Sequence, residues 1–426
     1  MQCINSVDYK AILNGELTAA FSPTCGIRQG DPLSPYIFVL CMEKLSHIIQ
    51  KKIHDHDWKP LQVSRGGPFI SHLFFADDLI LFGKASTNQA FLMKNCLDEF
   101  CHLSGQRVSF EKSVICVSPN VSADLAHSIA TISGSPLTDC LGKYLGVPLI
   151  HKRVTKDTYH EILDKVQKRL SSWKSHTLSM AGRITLVQSV TSAIPIYTMQ
   201  TAQLPMSVCN KLDQLNRNFL WGHTDDKAKV HLVNWKTVCN PKATGGLGLK
   251  SAALMNKALL AKNAWRLHQD DHGLWAQVFK AKYLRNCDIL AANDSYTSCS
   301  SSAWRGILFG AQIIPHGTKW RVGSGDTIRF WTDNWLSCGP LIQYATIDIS
   351  EDMLLLKVSD FFADNTWNVN CLLERLPAHI VHLILCVHAG FQDSGPDRCI
   401  WNLTTNEEGD WSGHFLSEVL LSCGIP

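Results

Sequence analysis

The sequence predicts an α+β fold: a short antiparallel sheet with helices on one face, then a helical stretch, then a mixed α/β C-terminal region. Three observations predict it. The fourteen residues from Phe69 to Phe82 are almost wholly apolar and are interrupted by Asp77-Asp78, which reads as strand, tight turn, strand. From residue 158 the apolar period turns helical, with Ile162, Leu163, Val166, Leu170 and Trp173 on one stripe. The composition, 45 % hydrophobic and 18 % charged, is that of a globular chain rather than a disordered one. At ~150 residues per domain, a chain of 426 residues suggests about three domains.

In chain order, residues 1–25 alternate weakly around Asn14-Gly15, a hairpin turn signal. Ser34 is the expected N-cap of a helix with Pro35 at its first position. Ile37, Leu40, Cys41, Leu45, Ile48 and Ile49 fall on one face of that helix. Ala90 to Leu103 is helical by period, while Gln106 to Val117 and Tyr144 to Ile150 read as short strands. Further helices are expected from about Ser179 to Ser192, ending before Pro195, from Val208 to Leu220, and from Ser251 to His268. Trp320 to Trp331 reads as a hairpin turning at Gly323-Ser324-Gly325-Asp326. The tail from 351 mixes helix with irregular segments.

Several classes are excluded at this level. No apolar run approaches the ~18 residues of a membrane span, and the N-terminus lacks a basic region followed by an apolar one. The sixteen cysteines are spread along the chain without any C-x-x-C, which reads as free thiols in a reducing compartment. A nuclear or cytoplasmic, not secreted, protein is expected. The formal charge of +3 hides an asymmetry. Residues 151–190 carry a net +5, residues 227–266 a net +8 without a single acid, and residues 351–426 a net −8. The middle is suited to a polyanion, although a solvated basic face has the same composition.

Asp77-Asp78 is the sharpest chemical feature. Carboxylates inside an apolar strand pair are costly without compensation. Two at a hairpin tip supply the oxygen ligands a hard divalent cation prefers, and Asp is equally a good turn residue. Other constellations are weaker. His379, His382, Cys386 and His388 lie on an amphipathic pattern without compact tetrahedral spacing, and His54-Asp55-His56 reads as a solvated loop. Gly245-Gly246-Leu247-Gly248 lacks the phosphate-loop spacing, and no Gly-x-Ser-x-Gly occurs. Trp320, Arg321, Arg329 and Trp331 could stack on single-stranded nucleic acid or form a small aromatic core.

Gly26-Ile27-Arg28-Gln29-Gly30-Asp31-Pro32-Leu33-Ser34-Pro35-Tyr36-Ile37-Phe38, followed about forty residues later by Phe75-Ala76-Asp77-Asp78, resembles the reverse transcriptases of LINE-type (non-LTR) retroelements, in a plant-like form. Ser104 to Ser113 is similar to the family's next motif, with Gln106 and Ser109 replacing the usual Leu and Asn, and Lys112 kept. Tyr144-Leu145-Gly146-Val147-Pro148-Leu149 resembles its primer-grip hairpin, and Cys25 stands where Arg is common. Trp173 to Pro205 resembles the helical thumb of plant LINE-type proteins. Trp235 to Leu267 and Trp304 to Trp335 resemble the segment beyond it, and Trp401 to Phe415 the segment before a zinc-binding region.

The resemblance implies RNA-directed DNA polymerisation with Mg²⁺ (or Mn²⁺), on an RNA template with a DNA primer and deoxynucleoside triphosphates. No membrane and no small-molecule cofactor are implied. It implies Asp77 and Asp78 as metal ligands and Lys112 as a proton donor to pyrophosphate. Arg28, Gln29, Gly30, Pro32 and Ser34 would form the template and nucleotide floor. Lys152, Arg153, Lys165, Lys168, Arg169, Lys174 and Arg183 are the backbone-contact candidates. The implied layout is a partial reverse-transcriptase palm at 1–150, a helical thumb at 151–225, a basic, Trp-rich connection at 226–345 and an acidic segment at 346–426. The family's first catalytic Asp has no counterpart in the residues before Gly26, where Asp8 stands in an unrelated context, so an incomplete ligand set is expected. The competing expectation is a non-enzymatic retroelement remnant that binds RNA or an RNA/DNA hybrid.

Overall fold

The computed structural model describes every residue except 1–6, 25, 150–156, 171–176, 224–228, 271, 286–288, 290–299, 364–365, 388–394 and 402–426. Helices and small antiparallel ladders alternate in an α+β arrangement, and each ladder among the described residues has only two strands. The chain divides into two units, Met1–Lys152 with His272–Asn286, and Arg153–Asp271 with Cys287–Pro426.

In the first unit the turn signal is realised. Ile12–Leu13 pairs with Glu16–Leu17, and Asn14 and Gly15 both take positive φ, the mirror-type turn that suits a right-twisted hairpin. The first long helix runs Ser34–His54 with a proline in its first turn. Its N-cap is Leu33 rather than Ser34, because the Asp31 carboxylate already accepts from Leu33 N (2.8 Å). The Ser34 hydroxyl instead donates back to the Arg28 carbonyl (2.6 Å). The buried stripe also starts later than expected: Met42, Leu45, Ile48 and Ile49 are buried, whereas Leu40 is 72 % exposed. The helix packs into the cluster with Trp58, Cys96, Phe100, Phe74, Leu79 and Leu81 through Phe38 and then Met42, Leu45, Ile48, Ile49 and Ile53. Helix Thr87–Ser104 is capped by the Ser86 hydroxyl and ended by Gly105 at φ +71°, a left-handed C-cap. Helix Ala123–Ser133 packs on it.

Two strand expectations change. Gln106–Val117 forms no strand; Lys112 and Ser113 both donate to the Ser109 carbonyl in a tight turn, and Ile115 makes one isolated bridge with Leu137. Residues 144–149 form not one strand but a hairpin, as their resemblance to a hairpin motif implied. Lys143–Tyr144 pairs with Val147–Pro148 through Leu145 and Gly146, both at positive φ.

The second unit is mainly helical: His160–Arg169, Met180–Leu186, Ile196–Thr201, Met206–Leu220, Trp235–Cys239, Ala252–Gln269 and Ser302–Ala311. Ile162, Val166, Leu212 and Leu259 share a core with the fully buried Tyr159. Asn256 is buried in this region and fully employed. It accepts from Leu204 N and donates to the carbonyls of Met199 and Ala202, which closes the loop before Met206. The expected helix to Ser192 loosens after Leu186 into a π-type turn, Val187–Thr191.

The hairpin expected at 320–331 does not form. Thr318–Arg321 pairs instead with Arg398–Trp401. The cause is Asp397, whose carboxylate accepts from the amides of Gly323, Gly325 and Thr327 and from the Thr327 hydroxyl, at 2.7–2.9 Å. These bonds hold its pKa low despite partial burial, and they dock the late strand onto the early one. Phe330 and Trp331 are wholly buried, with Phe330 stacked on Phe361 at 3.8 Å, so this region is an aromatic core rather than a stacking platform. His382 sits on helix Ala378–Leu385, whose Ile380, Val381 and Ile384 face inward. His388 lies outside the described residues.

Candidate functional site

The acid pair sits where the apolar run placed it. His72–Phe75 pairs with Asp78–Leu81, Phe75 opposite Asp78, leaving Ala76-Asp77 as a two-residue turn. Ala76 takes φ +50°, unusual for a residue with a Cβ. Strand alternation explains the placement. Phe74, Leu79 and Leu81 pack into the first unit's core, Leu73 and Phe75 face out, and both carboxylates stand exposed at the tip. Neither carboxylate has a hydrogen bond or ion pair with a described residue.

Sequence reasoning placed one neighbour of the pair in a hairpin of its own but not near Asp78. Tyr144, on the Lys143–Pro148 hairpin, has its phenol pKa raised, first by burial and then by the Asp78 charge. That coupling puts the two hairpins beside each other although 66 residues separate Asp78 from Tyr144. No local sequence signal joins them.

Behind the tip, His72 is wedged between the Ser46 hydroxyl (3.2 Å), the Ser71 hydroxyl (2.9 Å) and the Phe74 ring (centroids 4.5 Å). Burial lowers its pKa, partly opposed by Glu43. A depressed folded-state pKa means the unfolded chain takes up the proton first as pH falls. The stability His72 contributes is therefore full above its ordinary pKa of ~6.5 and is lost as pH falls below it. Unfolding midpoints measured from pH 7.5 to 5 should fall more steeply for the native chain than for His72→Gln. Parallel curves would show that His72 is not the titrating group.

The Gly26–Ser34 loop leads into the Ser34–His54 helix. Arg28, Gln29, Gly30 and Pro32 are exposed and Ser34 is half-buried. Gly30 takes φ +86°, a conformation a side chain would strain, so glycine fits the backbone here. No hydrogen bond or ion pair between described residues joins this loop to the Asp77-Asp78 turn. Lys112 is exposed on the Ser109–Ser113 turn. Lys165, Lys168 and Arg169 project from His160–Arg169, with Lys165 paired to Glu161 at 3.1 Å. Arg183 differs from them: its guanidinium donates to the carbonyls of Leu178 and Leu220 (both 3.1 Å) and so ties two helices together. Lys152, Arg153 and Lys174 lie outside the described residues, as does Cys25.

Exposed oxygen donors without competing partners suit a hard divalent cation in kind. Among the described residues, however, no group of three or more metal-ligating side chains occurs. Asp8, the only acid of the first 25 residues other than Glu16, accepts from the Ser22 hydroxyl at 2.6 Å in the N-terminal hairpin region.

Comparison with known proteins bears on the segment that carries this geometry. The family described as "Reverse transcriptase (RNA-dependent DNA polymerase)" matches residues 2–149, the segment holding the Gln-Gly loop and the acid pair. An Arabidopsis thaliana protein named for ribonuclease H is 46 % identical over 202 residues, 46 % of this chain and 32 % of that one. An uncharacterized mitochondrial protein of the same plant is 30 % identical over 145 residues, 34 % of this chain and 93 % of its own length. A Drosophila melanogaster Pol polyprotein from the type-2 retrotransposable element R2DM is 25 % identical over 300 residues, 66 % of this chain and 27 % of that one. The chain belongs to the reverse transcriptase family of non-LTR retrotransposons, in its plant-like form. It spans about a third of the ribonuclease H-named relative.

Proposed function

We propose that the chain serves RNA-directed DNA polymerisation in a non-LTR retroelement. The carrying observation is the exposed Asp77-Asp78 turn on a two-stranded hairpin with Tyr144 beside it. In this reading residues 1–150 are the palm, 151–225 the thumb, 226–345 a basic connection and 346–426 an acidic tail. Asp77 and Asp78 hold Mg²⁺ or Mn²⁺, which when bound supplies Lewis-acid polarisation of a phosphoryl oxygen. The chain's own residues do the positioning. The exposed Arg28–Pro32 loop supports the templating base and nucleotide, with Ser34 pinning the loop to the helix through the Arg28 carbonyl. Tyr144 keeps its proton beside Asp78, so its hydroxyl can donate to a primer phosphate or to the carboxylate. Lys112 is the proton donor to pyrophosphate. Lys165, Lys168 and Arg169 face the duplex backbone, and Arg183 shapes the helices that present them.

A primed RNA template tests the binding half of this reading. The full chain should retain an RNA/DNA hybrid on a filter at low salt, with affinity falling steeply as salt rises, because phosphate neutralisation releases counterions. Replacing Lys165, Lys168 and Arg169 together by Gln should flatten the salt slope by about two to three. Absence of binding at low salt, or an unchanged slope in the triple variant, overturns the assignment. Salt-dependent binding without any extension, even with Mn²⁺, would favour the remnant reading.

A further inference from the structure

We infer that the second unit holds a phosphate-class oxyanion site at the end of helix Met206–Leu220, built by Arg217, Trp221 and His231 with His223 at its rim. Arg217 and Trp221 are one turn apart, Trp221 being the residue that ends the helix. The Trp221 ring stacks on His231 (centroids 6.4 Å, 26° between planes), and His223 meets His231 at 5.6 Å. Three buried ring or guanidinium nitrogens of this cluster, Arg217 Nε, Trp221 Nε1 and His231 Nε2, have no hydrogen-bond partner. Buried polar atoms are almost always satisfied, so three orphans in one cluster mark a place made for something else.

The chemistry of the orphans says what. Arg217 Nε and Trp221 Nε1 are donors only, and His231 Nε2 becomes one whenever that nitrogen is protonated. A ligand rich in acceptors satisfies all three, whereas a cation is repelled. The surroundings agree. Arg183 brings a second guanidinium to the same helix end, bonded to the Leu220 carbonyl and lying against Gly222. His231 has its pKa lowered by burial and then by the nearby Arg217 and His223. The acid one turn earlier, Asp213, interacts electrostatically with Arg217, while its carboxylate oxygens accept from Ser251 Oγ (3.0 Å) and Ala252 N (2.9 Å). The helix-end carbonyls are occupied too: those of Arg217, Asn218 and Phe219 accept from Trp221, His223 and Gly222. The oxyanion comes either from free phosphate or from a phosphodiester of bound nucleic acid. The site rests on these contacts alone and stands or falls independently of the polymerase reading.

The test uses the full chain with ¹⁵N-labelled histidine and two probes at constant ionic strength, inorganic phosphate and a single-stranded RNA oligonucleotide, with chloride as the balancing salt. The His231 ring signal is identified by its loss in His231→Gln. Phosphate should shift that signal and raise its titration midpoint. Trp221→Phe keeps an aromatic ring and deletes the Nε1 donor, so it should weaken phosphate about tenfold. Arg217→Lys keeps the charge and removes Nε, and should weaken binding by a similar factor. If the oligonucleotide moves the His231 signal and competes with phosphate, the source is a nucleic-acid backbone. If only phosphate moves it, the source is the free ion. A His231 signal that responds to neither probe overturns the site, as does phosphate binding equally tight in Trp221→Phe and Arg217→Lys.

Discussion

Supplied with Mg²⁺, a primed RNA template and all four deoxynucleotides, this chain alone should extend the primer at least about 10³-fold more slowly than an enzyme with a full carboxylate set. The reason is electrostatic. Nucleotidyl transfer in this family uses divalent charge at the reacting phosphate, and charges held a few Å apart need compensating carboxylates around them. In the proposed reading Asp77 and Asp78 supply two, adjacent on the chain and at the tip of a two-stranded ladder. No third metal-ligating side chain joins them among the described residues. Asp8 is hydrogen-bonded to Ser22 and offers no such help. Mn²⁺, less demanding in its ligands, should recover only part of the loss. Primer extension on a denaturing gel reads the result. Ready extension that vanishes in Asp77→Asn would mean that another acid completes the site and that the pair is sufficient with it.

The hairpin bearing those acids was legible because its signal is local. Fourteen residues with one charged interruption leave few alternatives to strand, turn, strand, and the packing of Phe74, Leu79 and Leu81 into the core follows from alternation. The same holds for the Asn14-Gly15 turn and for helix Ala252–Gln269 beginning after Ser251. What failed was non-local. The 318–321 strand pairs with 398–401 because a carboxylate at 397 finds three amides 70–74 residues away, and no pattern in 320–331 announces that. Leu40 looked like a core residue by period, yet it stays exposed while Phe38 and Met42 on either side of it pack into the core. Gln106–Val117 alternates well enough to be a strand, but the turn at Ser109 breaks it. The site divides in the same way. The acid pair and the Gln-Gly loop are motifs, while Tyr144 and the Arg217–Trp221–His231 cluster exist only through folding.

Gly310→Ala should destabilise the second unit by about 1–3 kcal/mol, although alanine is the better helix former by about 1 kcal/mol. Helices Ser302–Ala311 and Ala252–Gln269 approach so closely that a Cβ at 310 would fall against backbone atoms, Ala261 N and the Leu260 carbonyl. The facing side is trimmed to match, with Ala258, Ala261 and Ala264 wholly buried. Backbone cannot rotate away as a side chain can, so relief requires the two helices to separate and to break the close packing beneath them. Gly306, one turn earlier on the same face, is the internal control. A Cβ there meets mainly the tip of Leu260 (3.1 Å), which can move, besides Gln203 N at 3.3 Å. Gly306→Ala should therefore cost clearly less. At about 2–4 °C per kcal/mol for a unit of this size, Gly310→Ala should lower the unfolding midpoint by roughly 2–12 °C. An unchanged midpoint, or a larger loss for Gly306→Ala, would show that the helices do not approach this closely. The effect should reach beyond the contact. Helix Ala252–Gln269 begins at the amide held by Asp213, on the helix that carries Arg217 and Trp221. Displacing it should therefore also loosen the His231 cluster, visible as a weaker response of the His231 signal to phosphate in Gly310→Ala than in Gly306→Ala.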